Sequence, residues 1–268
     1  MISKSNIHTH CTYCDGKNTV EEMIQAALDL GFESIGFSSH AVGVSVDGSC
    51  MKAERVDSYF NELEAMKIKY QQRIKIFKGL ELELGYSKPD DRCDYTIGAV
   101  HFLDTPNGIN NIDYSPSVQA KGIMDCGGPD AYARLYFETL VQRSMSQDYD
   151  IQAHFDLLTK FDEKNQHFTY NSSYRRYAFD ALDALSKKNV IFEINTGAIS
   201  RGYMTRAYPA DFILERMAEK KLPIILSSDA HSASALACCF DETEQRLRSF
   251  GFTSMMKLTD NGFVETAL

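Results

Sequence analysis

Short apolar runs recur along the chain, separated by stretches in which apolar residues return every three to four positions. The runs lie at Ile7, at Ser34-Ile35-Gly36-Phe37, near Ile74-Lys75-Ile76-Phe77, at Tyr95-Thr96-Ile97-Gly98-Ala99-Val100, near Ile151, at Val190-Ile191-Phe192-Glu193-Ile194 and at Pro223-Ile224-Ile225-Leu226. They predict seven strands. After the first, Thr19-Val20-Glu21-Glu22 has the form of a capping box, in which the Thr19 hydroxyl and the Glu22 carboxylate each take a free backbone N–H. Met23, Ala26, Ala27 and Leu30 then recur at helical spacing, and Gly31 ends the run. Helical period also covers about 52–72, 130–147, 172–188, 209–221 and 241–250. Strands that alternate with helices predict an α/β chain with a parallel sheet, because parallel strands need crossover connections. Nothing in Gly or Pro placement marks a linker, so residues 1–268 read as one domain. The polar, aperiodic stretch 103–129 reads as a long loop over a site.

Composition changes this picture little. With 268 residues, 44% hydrophobic and 24% charged, the chain has an ordinary globular balance and enough length for a large α/β barrel. A formal charge of −9 argues against a partner held by broad phosphate neutralisation, so no nucleic-acid partner is expected. At first sight it also disfavours an anionic substrate. No run approaches the roughly 18 to 20 apolar residues of a membrane span, and the first residues lack the apolar stretch of a signal peptide. Seven cysteines, an odd number, suit reduced thiols, and the expected compartment is the cytoplasm.

The histidines are where the chemistry gathers. Of seven, six (His8, His10, His40, His101, His154 and His231) sit at or just past the end of an apolar run, and only His167 lies elsewhere. Asp15, Glu81 and Asp229 fall at the same points. In a parallel barrel the C-terminal strand ends share one face, so these residues converge there. Imidazole nitrogens with carboxylate oxygens suit Zn, Mn or Fe, and the set exceeds what one ion can coordinate. Glu83 is either a supporting acid or a structural one, and is left outside the site. Cys11-x-x-Cys14 has no second Cys-x-x-Cys to complete a zinc site, and reads as structural thiols.

His8-Thr9-His10, Asp15-Gly16, Ser38-Ser39-His40, Gly79-Leu80-Glu81, Gly98-Ala99-Val100-His101, Ala153-His154 and Ser228-Asp229-Ala230-His231 resemble the successive motifs of the PHP (polymerase and histidinol phosphatase) superfamily. Glu193-Ile194-Asn195-Thr196-Gly197 followed by Arg201, together with the 103–129 stretch, resembles the stand-alone histidinol-phosphate phosphatases. The resemblance implies a distorted (β/α)7 TIM-like barrel with three divalent ions. His8, His10, Glu81 and Asp229 would hold the first ion. Glu81 would bridge to a second, completed by His101 and His154, and Asp15, His40 and His231 would hold the third. The implied activity is hydrolysis of a small phosphate monoester, L-histidinol phosphate. The expected nucleophile is hydroxide between the Glu81-linked ions, with Asp229, His231 or a bound water able to protonate the leaving alkoxide. Arg201 is the expected forked phosphate contact, with Lys160 as a second cation. A nuclease, a protein-tyrosine phosphatase and a non-catalytic metal-binding module are the rival readings. Three divalent ions would offset most of the −9, so the charge excludes long nucleic acids without excluding phosphate.

Overall fold

The computed structural model describes residues 4–44 and 48–268; the N-terminal residues Met1–Ser3 read for a signal peptide lie outside these. The strands are β1 (Ser5–Asn6), β2 (Ser34–Phe37), β3 (Lys75–Glu83), β4 (Tyr95–Ala99), β5 (Phe102–Thr105), β6 (Gly108–Asn111), β7 (Ile151–Gln152), β8 (Ile191–Asn195), β9 (Ile224–Ser227), β10 (Ser254–Thr259) and β11 (Gly262–Ala267). The helices are α1 (Val20–Asp29), α2 (Val56–Tyr70), α3 (Pro116–Asp125), α4 (Pro129–Ser146), α5 (Asp162–Asn165), α6 (Ser172–Leu185), α7 (Gly197–Ser200), α8 (Asp211–Glu219) and α9 (Phe240–Ser249). The expected capping box is present at α1, with Glu22 Oε2 accepting from the Thr19 N–H at 2.8 Å and Thr19 Oγ1 from the Glu22 N–H at 3.3 Å.

Seven strands pair in parallel in the order β1-β2-β3-β4-β7-β8-β9. Thr9 and Ala230 form a further parallel bridge between the outer strands. There Ala230 N–H donates to the His8 carbonyl (3.1 Å) and His10 N–H to the Ala230 carbonyl (2.9 Å). Buried Asn6 stitches the same seam, donating from Nδ2 to Ser228 Oγ at 2.6 Å and to the Leu236 carbonyl at 3.0 Å. The sheet therefore curls into a nearly closed (β/α)7 barrel.

The barrel interior is layered along its axis. Ile7, Phe77, Tyr95, Ile97, Ile151, Ile191 and Ile225 form one inner apolar cluster, and the same strands present Glu81, Glu83, Glu193, Asn195 and Asp229 further toward their C-terminal ends, all buried. The Tyr95 ring crosses the interior because Gly79 leaves room for it: a Cβ at Gly79 would stand 2.5 Å from its Cζ. Its hydroxyl donates to the Ile7 carbonyl. The antiparallel hairpin β10–β11 closes the opposite end, where Leu258 joins the apolar cluster and Met256 and Phe263 pack against it.

The stretch 103–129 is not a loop. It contains most of the antiparallel hairpin β5–β6 and the whole of α3. The hairpin turns at Gly108, whose φ of +118° suits glycine, and four-residue strands are too short to show a period. Helix α3 is capped by Ser115 Oγ accepting from the Val118 N–H (3.3 Å) and opens on Pro116. Asn110 and Gln119 fasten it: Asn110 Nδ2 donates to the Val118 carbonyl (2.7 Å), and Gln119 Nε2 to the Leu158 carbonyl (2.8 Å).

Candidate metal centre

The barrel carries its ligands on or just beyond the C-terminal ends of its strands. His8 and His10 follow β1, Asp15 lies in the next turn, His40 follows β2, Glu81 lies within β3, His101 follows β4, His154 follows β7, and Asp229 and His231 follow β9. All nine expected ligands converge. Asp229 occupies the left-handed region at φ +48°, a conformation uncommon outside glycine but tolerated by Asp.

Glu81 is central and buried, and its two oxygens face different histidines. Oε2 lies 3.2 Å from His8 Nε2, 3.4 Å from His10 Nε2 and 3.0 Å from His40 Nδ1. Oε1 lies 3.1 Å from His154 Nε2 and 3.5 Å from His101 Nε2. Asp229 Oδ1 completes the first group, 3.2 Å from His10 Nε2 and 3.6 Å from His8 Nε2. Toward the mouth, Asp15 Oδ1 lies 3.4 Å from His231 Nε2 and 3.8 Å from His40 Nε2. Three sets of side chains bring donor atoms within one metal's reach: His8, His10 and Asp229; His10, Asp15, His40 and His231; and His40, Glu81 and His101. The first contains three of the four residues expected together, without Glu81, and the second contains Asp15, His40 and His231 as expected, with His10 added. In the last, His40 stands where the resemblance implied His154, which remains against Glu81 Oε1.

A test of fit comes from the unpaired atoms. His8 Nε2, His10 Nε2 and Glu81 Oε2 are all buried and lack an aligned hydrogen-bond partner. Buried polar atoms without partners are costly, and a cation held among these three would satisfy them together. The donor set fits Zn, Mn or Fe.

Electrostatics divide the rings, favouring the neutral form at His10 and the protonated form at His8 and His101. Burial, and then His231 and His40, push the His10 imidazolium down to about 3, so this ring is neutral, as a ligand must be. Burial also opposes the charged form of His101, but Glu81 and then Glu83 outweigh it and raise the ring to about 9. His8 is likewise raised, burial being overcome by Glu193 and Glu81. At Asp229, burial favours the neutral acid, yet Arg201 and then His8 hold the carboxyl well below its usual range.

Two supporting carboxylates lie behind the ligands. Glu193 Oε1 meets His8 Nδ1 at 2.5 Å, and its Oε2 accepts from the His154 backbone N–H at 2.8 Å. Glu83 Oε2 meets His101 Nδ1 at 2.9 Å. Each turns the other ring nitrogen toward Glu81, the usual way a ligating imidazole is oriented. His10 differs, because its Nδ1 faces Cys14 Sγ at 3.4 Å. Among the described residues the cysteines form no disulfide, and Cys11 Sγ meets Ser39 Oγ at 3.3 Å.

A cavity of about 320 Å³ opens above these groups. Asp15, His40, Glu81, His101, His154, Asp229 and His231 line it from the barrel, and Asn111, Asp113 and Tyr114 from the segment inserted between β4 and α4, which carries β5, β6 and α3. His8 and His10 lie beneath, fully buried. Both expected phosphate contacts line the cavity, each already engaged. Arg201 donates from Nη2 to Asp229 Oδ2 (2.9 Å) and from Nη1 to the Asp229 carbonyl (3.1 Å), leaving buried Nε unpartnered. Lys160 Nζ donates to Asp113 Oδ2 (2.9 Å) and to its carbonyl (2.8 Å). Asp113 was not anticipated, since it lies in the stretch read as a loop.

Residues 6–197, more than half of the chain, match the PHP domain family model. The histidinol-phosphatase of Bacillus subtilis is 26% identical over 91% of this chain and 100% of its own length. Among solved structures, a Listeria monocytogenes protein superposes with a TM-score of 0.78, at 22% identity over 89% of this chain and 99% of its own. The histidinol phosphate phosphatase of Lactococcus lactis, complexed with zinc, L-histidinol and phosphate, superposes with a TM-score of 0.71, at 18% identity over 98% of this chain and 99% of its own. Their shared shape supports the barrel, and the family match extends over the strands that carry seven of the nine ligands. The chain belongs to the PHP domain family.

Proposed function

We propose that the chain hydrolyses L-histidinol phosphate to L-histidinol and phosphate, as one catalytic unit in the cytoplasm, with three divalent ions of Zn, Mn or Fe. The observation that carries the reading is Glu81, whose Oε2 faces His8 and His10 while Oε1 faces His101 and His154. One carboxylate between two sets of imidazoles is the arrangement that joins neighbouring cations. Such ions, when bound, lower the pKa of coordinated water toward neutrality and neutralise phosphoryl oxygens.

The chain's own residues do the rest. His8, His10, Glu81 and Asp229 would hold one ion, Glu81 with His101 and His154 a second, and Asp15, His40 and His231 a third. Arg201 fixes the Asp229 carboxylate with one arm of its guanidinium, and its place in the cavity lining sets its positive charge beside an incoming phosphoryl group. Lys160 adds a second positive charge from across the cavity, steadied by Asp113. The inserted segment lines the cavity with Asp113 and Tyr114 and favours a small ester over a polymer, in keeping with the −9 charge. The B. subtilis relative's name and the zinc, L-histidinol and phosphate held by the L. lactis protein support the choice of ester.

A side-by-side assay on L-histidinol phosphate, a phosphotyrosine peptide and a short oligonucleotide tests the reading. The expected outcome is a kcat/KM for L-histidinol phosphate orders of magnitude above the other two. Comparable turnover of either rival overturns the assignment of substrate.

A further inference from the structure

We propose that Glu83 and Arg143 act as a positioning pair that sets the ring of His101, and so couples the inserted segment to one side of the metal centre. The inference rests on the metal-centre reading above. Glu83 Oε2 accepts from both the backbone N–H of His101 and its ring Nδ1, each at 2.9 Å. A carboxylate can only accept, so Nδ1 carries the proton. Whenever the ring is neutral, as a ligand must be, its lone pair is thereby fixed on Nε2, which faces Glu81 Oε1 at 3.5 Å.

The second oxygen of Glu83 is held from the helical layer. Arg143, on α4, donates from Nη1 to Glu83 Oε1 (3.3 Å) and to the Phe102 carbonyl (2.9 Å), and from Nη2 to Asp104 Oδ2 (3.0 Å). Phe102 and Asp104 belong to β5, so one guanidinium clamps the hairpin and the carboxylate together. Tyr86 supports both groups: its hydroxyl donates to Asp104 at 3.0 Å, and the guanidinium lies 4.7 Å from its ring centre. Gly85 packs closely against this side chain, where a Cβ would stand 3.2 Å from Arg143 Cδ.

The partner of His8 is built differently. Glu193 is held by Ser227 Oγ, Asn195 Nδ2 and the His154 N–H, all from the barrel. Glu83 alone of the two leans on a helix and on the inserted hairpin. Disturbing Arg143 should therefore loosen the His101 side of the centre and spare the His8 side.

Zinc titration of chelator-stripped protein, followed calorimetrically, tests the pair without any substrate. Glu83→Gln is expected to lower affinity at one site by about 10- to 100-fold, the usual cost of losing a ligand's carboxylate partner, with the remaining sites unchanged. Arg143→Met is expected to weaken the same site, and Arg143→Lys to restore part of the loss. Wild-type affinity at every site in a folded Glu83→Gln or Arg143→Met protein overturns the proposal. Long-range 1H–15N NMR of the wild type gives a readout independent of any variant: His101 protonated on Nδ1 agrees, and His101 protonated on Nε2 overturns it. If the wild type binds zinc but leaves L-histidinol phosphate intact, only the substrate reading fails, and the titration still decides this one.

Discussion

Glu81 combines full burial with a charge that imidazoles on both sides sustain: burial alone would favour the neutral acid, but His8, His40 and His101 hold it well below the usual carboxylate range. Replacing it by Gln keeps the volume and removes the charge on which two groups of ligands depend. Glu81→Gln is expected to lower kcat/KM by more than about 100-fold, because losing a ligand should cost at least as much as losing a ligand's partner. It should also lower bound metal, measured by elemental analysis; full metal and full activity would refute the bridging role. At this scale the candidate ligands were legible in the chain because most of them stand at or just past a strand end, a position that apolar runs mark directly. Their partners were not. Glu193 reaches His8 across the barrel and Glu83 reaches His101 from the neighbouring strand, and such pairings depend on sheet order and register. Cys14, read as a structural thiol because no second Cys-x-x-Cys completes a zinc site, faces His10 Nδ1 at 3.4 Å.

Among the elements, the long helices and the barrel strands followed from period and caps, with boundaries within a few residues except at β3, which runs on from the apolar run at 74–77 to Glu83. The two hairpins and α3 did not. Their strands are short or partly exposed, so burial imposes no strict alternation on them. Signals were nonetheless present: Ser115-Pro116 is a helix start, and Asn261-Gly262 is a hairpin turn. The C-terminal hairpin acts on stability rather than chemistry, because Leu258 fills the barrel end away from the ligands. Leu258→Ala is expected to cost about 2–5 kcal/mol, the range for emptying a buried leucine site. Denaturant unfolding should show this loss while kcat and KM for the folded enzyme stay at wild-type values. A changed KM would mean that the hairpin communicates with the site.

For the molecule as a whole, protons and metal ions compete for the same imidazoles. His8, His40 and His101 have folded-state pKa values above the ordinary 6.5, His101 at about 9. A raised histidine pKa stabilises the folded chain fully below about 6.5 and loses that contribution as pH rises through the folded value. Chelator-treated protein should therefore lose Tm between pH 6.5 and 9. Metal-replete protein should gain relative to it over the same window, since rising pH frees the nitrogens for the ions. Melts that run parallel across this range would contradict the shared use of these rings. The −9 charge belongs to this scale too: it speaks about partners in solution, while Asp15, Glu81 and Asp229 turn their share of it toward the centre.

The central claim is that this cluster, filled with metal, hydrolyses L-histidinol phosphate. Its most direct test is to titrate chelator-stripped protein with zinc while measuring phosphate release from that ester. The account predicts no release from the stripped protein and a rise to full activity as three equivalents bind. Undiminished release from stripped protein, or full activity at a single equivalent, would contradict it.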